Sequence, residues 1–128
     1  MVVIKSVKFG FINVDDKSFS EDIVICGDKV FERPKHLSRK YRSIYGHTPL
    51  SNEELEYIIN SCSDFDTIII GTGHYGELPI MDDARLLLYN LSKKGKDIII
   101  DRTPKVAGIV NDYLRQGRKV LALLHLTC

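Results

Sequence analysis

The sequence has no tryptophan, only three cysteines, and no long apolar run. No stretch approaches the ~20 apolar residues that a membrane-spanning helix needs, so we expect no insertion into a membrane. The first residues resemble neither a secretory signal nor an Arg-rich leader, which predicts a cytoplasmic protein. The cysteines are odd in number and none lies in a C-x-x-C pair, so we interpret Cys26, Cys62 and Cys128 as free thiols.

The charges show no excess of either sign. Eighteen Lys and Arg oppose 17 Asp and Glu, for a net charge of +1. Such a balance gives no electrostatic basis for binding nucleic acid or an anionic membrane surface, and we expect neither partner. The length of 128 residues suits one domain that spans residues 1–128.

The first third of the chain has β character. Residues 2–14 are rich in Val, Ile and Phe and end at a turn of Asp and Lys. Two apolar segments, 23–26 and 29–31, flank Gly27-Asp28, which predicts a β-hairpin. Residues 35–50 are basic and mixed in character, and we expect an irregular segment with a short helical turn.

The remaining two-thirds alternates helices and strands. Ser51 and Glu54 form a capping-box pattern at the start of a helix, in which Glu54 would reach back to the first turn. Asp82 is expected to cap a second helix, and Thr103-Pro104 to begin a third. The polar Asn111 on that third helix is expected to bond a neighbouring backbone.

Continuous apolar runs predict three buried strands, at 67–70, 97–101 and 120–124. With helices between them they predict an α/β fold of three layers: a central mixed, mostly parallel sheet with helices on it and an N-terminal antiparallel β extension. Ligands of such sheets gather beyond the carboxyl ends of the strands. Gly71-Thr72-Gly73, Arg102-Thr103 and Thr127-Cys128 should therefore converge.

The segment 71–76 matches the dinucleotide-binding pattern G-x-G-x-x-G. We discount the match because the next helix is expected only at Asp82, too far away to place its N-terminus on a pyrophosphate. Gly71 and Gly73 are instead compatible with a small anion-binding turn, or with a tight turn that binds nothing. We therefore expect no cofactor.

Several short motifs occur in an order that resembles a known family: Gly46-His47, Gly71-Thr72-Gly73, Thr103, Asn111 and the segment 125–128. The chain resembles the adipogenesis-associated Mth-domain family, which has no established function, and more distantly the mitochondrial complex I assembly factor 3 proteins. The resemblance implies a three-layer α/β fold and no established reaction. Family members often carry a Trp near the position of Arg42, where this chain offers Tyr41 and Tyr45.

Cations beside the predicted loops complete the candidate site. Arg42, His47 and Arg102 could join Gly71-Thr72-Gly73 and Thr103 to bind an anion. The alternative is a solvated basic surface, which is the interpretation we favour for Lys35, Arg39 and Lys40. The four histidines show no metal-ligand spacing, and we expect no metal. His125 is interpreted as a strand residue that satisfies a buried polar group, in preference to a base for Cys128.

The favoured function is a non-enzymatic binding or scaffold module with an anion-accepting pocket at the strand ends. The alternative is an enzyme that acts on a small anionic or phosphate-bearing substrate through His47 and Arg42. A protein partner and a homodimer are further alternatives that the sequence leaves open.

Overall fold

The computed structural model describes residues 1–128 and divides eight strands between two sheets. The smaller, antiparallel sheet contains, in order, β1 (Ile4–Lys8), β2 (Phe11–Val14) and β3 (Lys17–Phe19). The larger sheet has the order β5-β4-β8-β6-β7, formed by β4 (Ile23–Cys26), β5 (Lys29–Glu32), β6 (Thr67–Thr72), β7 (Asp97–Asp101) and β8 (Val120–His125). The helices are α1 (Arg42–Tyr45), α2 (Asn52–Ser61), α3 (Asp82–Lys93) and α4 (Thr103–Arg115). None of them combines the length and the apolar character required to cross a membrane.

The larger sheet is mixed, as predicted. The strand β6 lies between β7 and β8 and is parallel to both, which confirms that the three predicted apolar strands are neighbours. The strand β4 is antiparallel to β8 and to β5, and the β4-β5 pair is the predicted hairpin around Gly27. Two strand pairings are therefore parallel and two are antiparallel.

The core lies on both faces of this sheet, which gives the predicted three layers. Ile69 faces α4 and the small sheet, whereas its neighbours Ile68 and Ile70 face α2 and α3. All three are essentially buried. Successive strand residues point to opposite faces, so a strand covered on both sides becomes a continuous apolar run.

The small sheet is attached to α4 through Asn111. Its side-chain oxygen accepts from the amide of Ile4 at 2.9 Å, and its Nδ2 donates to the carbonyl of Ile4, also at 2.9 Å. This confirms the predicted bond from the Asn111 amide to a neighbouring backbone. Both backbone groups of Ile4 are satisfied, so β1 has a defined position against the helix.

The helix starts differ in detail from the predictions. Ser51 caps α2, its Oγ accepting from the amide of Glu54 at 3.2 Å, but Glu54 does not reach back as a capping box requires. Its carboxylate binds Arg33 and Ser38 instead. Met81 is the N-cap of α3 and Arg102 that of α4, so Asp82 and Thr103 are the first helical residues and each helix begins one residue earlier than predicted.

The interpretation of three free thiols is wrong for two of them. Cys26 at the end of β4 and Cys62 after α2 form a disulfide, and Cys128 alone is free. The pair joins residues 36 positions apart. Disulfides are rare in cytosolic proteins outside hyperthermophiles.

Candidate functional site

A cleft of about 340 Å³ is lined by three basic side chains of the N-terminal half that form no ion pair: Lys35, Arg39 and Arg42. None of its nine lining residues is hydrophobic; they are Glu21, Lys35, Arg39, Arg42, Gly46, His47, Thr48, His125 and Thr127. We call this cleft the basic cleft. Its rim comes from the irregular segment 35–48, which forms two 3-10 turns and the single turn α1. Gly46 ends α1 with a φ of 75°, which turns the chain so that His47 follows on the cleft wall.

The cations of the basic cleft have no acidic partners. Lys35, Arg39 and Arg42 form no ion pair within 4.0 Å, and Glu21 is the single acid in the lining. In contrast, the adjacent Lys40 pairs with Glu53 at 2.9 Å. The chain as a whole is nearly neutral, so the excess of cations over acids in this cleft is a local feature.

A buried ion cluster lies behind the cleft. Arg33 donates from Nε and Nη2 to the two carboxylate oxygens of Glu54, at 2.6 and 3.0 Å. It also donates to Asp22 at 3.0 Å and to the carbonyl of Pro49 at 2.7 Å. Arg33, Asp22 and Glu54 are all buried, and buried charges are tolerated when they are paired and hydrogen-bonded in this way.

The same cluster positions the basic segment. Ser38, fully buried, lies between Lys35 and Arg39 in the chain and donates to Glu54 at 2.5 Å. Its Oγ also accepts from the amide of Ser51, at 3.1 Å. Ser38 thus attaches the irregular segment to the first turn of α2, although few of the segment's own residues are buried.

Asp22 connects the buried cluster to the cleft. Its carboxylate contacts Nδ1 of His125 at 2.7 Å and accepts from the amide of Leu126 at 2.9 Å. Burial alone would raise the pKa of Asp22, but the hydrogen bond and charge of His125, the charge of Arg33 and the Leu126 amide outweigh it and lower the pKa to about 2. Asp22 is therefore ionised, and His125, which lines the cleft, is held by a carboxylate.

The predicted loop lies on the other side of His125. The amide of Gly73 donates to Thr103 Oγ1 at 2.9 Å, and Thr103 Oγ1 donates to the carbonyl of His125 at 2.5 Å. The amide of His74 donates to the carbonyl of Thr127 at 2.8 Å. The ends of the three parallel strands therefore converge as predicted, but in a junction whose backbone groups and Thr103 hydroxyl bond to one another.

The two glycines of this junction are required by close packing. A Cβ on Gly71 would lie 2.6 Å from Thr103 Oγ1, and one on Gly73 would overlap the backbone of Cys128 and lie 2.8 Å from Cδ2 of His125. Gly73 also has a φ of 100°. The glycine loop therefore leaves room for the ring of His125 beside the cleft.

The structure brings together only part of the predicted set. Arg42 and His47 line the basic cleft, whereas Gly71, Thr72, Gly73 and Thr103 belong to the adjacent junction. Arg102 is exposed near Gly76 and does not line the cleft. Sequence analysis missed Asp22, Arg33 and Glu54, and it assigned Lys35 and Arg39 to a solvated surface although both line the cleft. One signal was present: Glu54 lies four residues before the buried Ile58, on the apolar face of α2.

A second polar cleft of about 360 Å³ adjoins the first and shares Glu21, Lys35 and Arg39 with it. Its lining also includes the acids Asp22 and Glu32. Positive and negative groups are therefore mixed there, and the basic cleft is the better candidate for an anion.

Comparison with known proteins agrees with the fold. The conserved hypothetical protein PH1505 from Pyrococcus horikoshii OT3 is 32% identical to the chain, with 98% of each chain covered and a TM-score of 0.78. The protein MT938 is 26% identical over the full length of both chains, with a TM-score of 0.76. A Mth938-like domain from Bordetella pertussis shares the fold at 15% identity and a TM-score of 0.53, covering 97% of this chain and 85% of that one.

No curated protein sequence matches the chain significantly. The model of a family described as "Protein of unknown function (DUF498/DUF598)" matches residues 4–125, nearly the whole sequence. Together with the Mth938-like neighbours, this match confirms the resemblance to an Mth-domain family without a known function. The chain therefore belongs to the DUF498/DUF598 family of proteins of unknown function.

Proposed function

We propose that the protein is a binding module for a small anionic ligand and that the basic cleft accepts this ligand. One observation carries the proposal: Lys35, Arg39 and Arg42 line one cleft, and none of them has an acidic partner. Some exposed lysines elsewhere are paired with carboxylates, as in Lys105–Asp101 and Lys119–Asp64. An anion would supply the missing partner, and two of the three cations are guanidinium groups suited to bidentate contacts with oxyanions.

Thermal unfolding in the presence of anions tests the proposal. Sulfate, phosphate and pyrophosphate would be compared with chloride at equal ionic strength. A preformed site stabilises the folded state by about 2.7 kcal/mol when the ligand is at 100 times its Kd. We expect at least one oxyanion to raise the melting temperature well above the chloride value.

Two arginine variants identify the site. Arg42→Ala should abolish the preference for the oxyanion, whereas Arg102→Ala, which removes an exposed arginine outside the cleft, should retain it. If Arg102→Ala abolished the response and Arg42→Ala did not, the anion would bind near the Gly71–Gly73 loop instead. If no oxyanion exceeded chloride, the proposed function would be rejected.

A second candidate function is an enzyme that acts on such an anion, with His47 as acid-base and Arg42 as the charge that stabilises the transition state. It is favoured because His47 and Arg42 line the same cleft. Phosphorus NMR of a bound phosphomonoester distinguishes the two functions. A binding module leaves the ester intact, and an enzyme consumes it at a rate that falls in His47→Gln.

A further inference from the structure

His125 lies between a buried carboxylate and the basic cleft. Its side chain is 10% exposed, and its Nδ1 contacts Asp22 at 2.7 Å. The other ring nitrogen, Nε2, lies 3.4 Å from Oγ1 of Thr127, and both residues line the cleft. The exposed part of His125 is therefore the part that a ligand in the cleft would meet.

The contacts of Asp22 decide which protons the His125 ring carries. Asp22 is ionised and accepts from Arg33 and from the Leu126 amide, so it can only accept from the ring as well. Nδ1 of His125 is thus the donor in that contact. Nε2 presents a lone pair to the cleft when the ring is neutral, and an N–H donor when the ring is protonated.

The charges of the cleft favour a dianion. Lys35, Arg39 and Arg42 carry three positive charges against the single negative charge of Glu21. A carboxylate ligand would leave much of this charge uncompensated. A phosphoryl group, with a charge of about −1.5 to −2 and three acceptor oxygens, compensates more of it and can accept from several donors at once.

The rest of the lining limits what the phosphoryl group is attached to. The cleft contains no hydrophobic residue and no Phe or Tyr against which a nucleobase could stack. Its volume of about 340 Å³ exceeds that of a phosphoryl group alone. The hydroxyls of Thr48 and Thr127 line the cleft and can form hydrogen bonds with a polar group attached to the phosphate, such as a polyol.

On the basis of the proposed anion site, we propose that the basic cleft binds a small polar phosphomonoester and that His125, protonated on binding, donates from Nε2 to its phosphoryl group. The bound anion and the Asp22 carboxylate then lie on opposite sides of one imidazolium ring. Where the ring is neutral in the free protein, binding is coupled to the uptake of one proton.

Other charged groups surround His125, and their effect on the pH dependence of binding must be distinguished from that of His125. Asp22 and, behind it, Arg33 approach from the β3–β4 connection and the end of β5; the groups that face the cleft are Glu21, Lys35, Arg39, Arg42 and His47. Asp22 is ionised. His47 is the second imidazole in the cleft, so it needs a control variant of its own.

Calorimetric titration with sulfate tests the coupling, because the charge of sulfate is constant at neutral pH. In the wild-type protein the sulfate affinity should fall up to tenfold per pH unit once the pH exceeds the pKa of the imidazole. His125→Asn should bind sulfate more weakly and without this pH dependence, since the Asn amide can still donate to Asp22 but does not titrate. His47→Gln should retain the pH dependence.

The outcomes separate this inference from the proposed function. If sulfate binds the wild type and His125→Asn retains its full pH dependence, His125 is not the coupled group and the anion site remains. If His125→Asn does not fold, wild type and His47→Gln are titrated in buffers of different ionisation enthalpy, where the absence of proton uptake overturns the inference. If sulfate and phosphate bind no better than chloride, both proposals fail.

The polarity of the group attached to the phosphoryl group is tested with two probes that both carry a phosphoryl group. Glycerol 3-phosphate should bind at least as tightly as inorganic phosphate, because the cleft is polar throughout. Phenyl phosphate should gain nothing from its ring. A phenyl phosphate affinity tenfold above that of glycerol 3-phosphate would overturn the assignment of a polar ligand.

Discussion

Arg33 donates to both carboxylate oxygens of Glu54, at 2.6 and 3.0 Å, where the side chain of Glu54 has no exposed surface. Removing one member of a buried pair leaves an uncompensated charge, which costs about 3–5 kcal/mol of stability. We expect Arg33→Met to lower the free energy of unfolding by this amount in urea titrations.

The matched control removes both charges. Arg33→Met combined with Glu54→Leu should be clearly more stable than the sum of the single changes predicts, because no isolated charge remains on the helix side. A single-variant loss below about 1 kcal/mol would show that the pair is not buried in solution.

Asp22 should make stability depend on acidity. Its pKa is about 2 in the folded protein against 3.8 ordinarily. A carboxylate with a lowered folded-state pKa stabilises the protein above its unfolded pKa. This contribution is lost as the pH falls through 3.8 toward 2, and it amounts to about 2 kcal/mol.

Urea unfolding from pH 7 to pH 2.5 measures the contribution of ionised Asp22 to the free energy of unfolding. The wild-type free energy should fall more steeply below pH 4 than that of Asp22→Asn, which is less stable at neutral pH but has no carboxylate to protonate at this position. Parallel curves for the two proteins would mean that Asp22 is not held by His125 and Arg33.

Two glycines provide a paired test of the junction beside the cleft. A methyl group on Gly71 would meet Thr103 Oγ1 at 2.6 Å and Val106 Cγ2 at 3.1 Å, so Gly71→Ala should destabilise by about 1–3 kcal/mol. Gly108 lies inside α4 with open space around it, and Gly108→Ala should stabilise by about 0.5–1 kcal/mol. Thermal unfolding should therefore shift in opposite directions for the two variants.

The disulfide predicts a redox-dependent stability. Closing a loop of 36 residues between Cys26 and Cys62 is worth about 4 kcal/mol in the chain-entropy account. Dithiothreitol should lower the melting temperature of the wild type and of Cys128→Ser alike. Thiol titration of the unfolded, unreduced wild type should find one free cysteine, and a count of three would contradict the pairing.

Much of the central sheet was predictable because a strand that is buried on both faces has a continuous run of apolar residues in the sequence. Ile68, Ile69 and Ile70 face two opposite cores, so all three of these consecutive positions are apolar. Asn111 was predictable for the converse reason, since an amide on an apolar helix face needs a partner.

The ion cluster was not predictable in the same way. Asp22, Arg33 and Glu54 are drawn together by the pairing of β4 with β8 and by the packing of α2, and a charged residue next to an apolar one usually marks a surface. The Cys26–Cys62 bond depends on the same long-range packing. Arg42 and His47 could be selected as candidates, but their placement on one cleft with His125 follows from the fold alone.

The central position of β8 in the larger sheet has a consequence for the order in which the protein folds. The β4-β5 hairpin and the β6-β7 pair share no hydrogen bonds and are joined through β8, whose residue Leu124 lies opposite Ile23. During synthesis each half exposes an unpaired strand edge until residues 120–125 have emerged, and such edges invite pairing with other chains. We expect the halves to depend on chaperones or on rapid completion of the chain, and the basic cleft, which needs His125 and Thr127, to be among the last features to form.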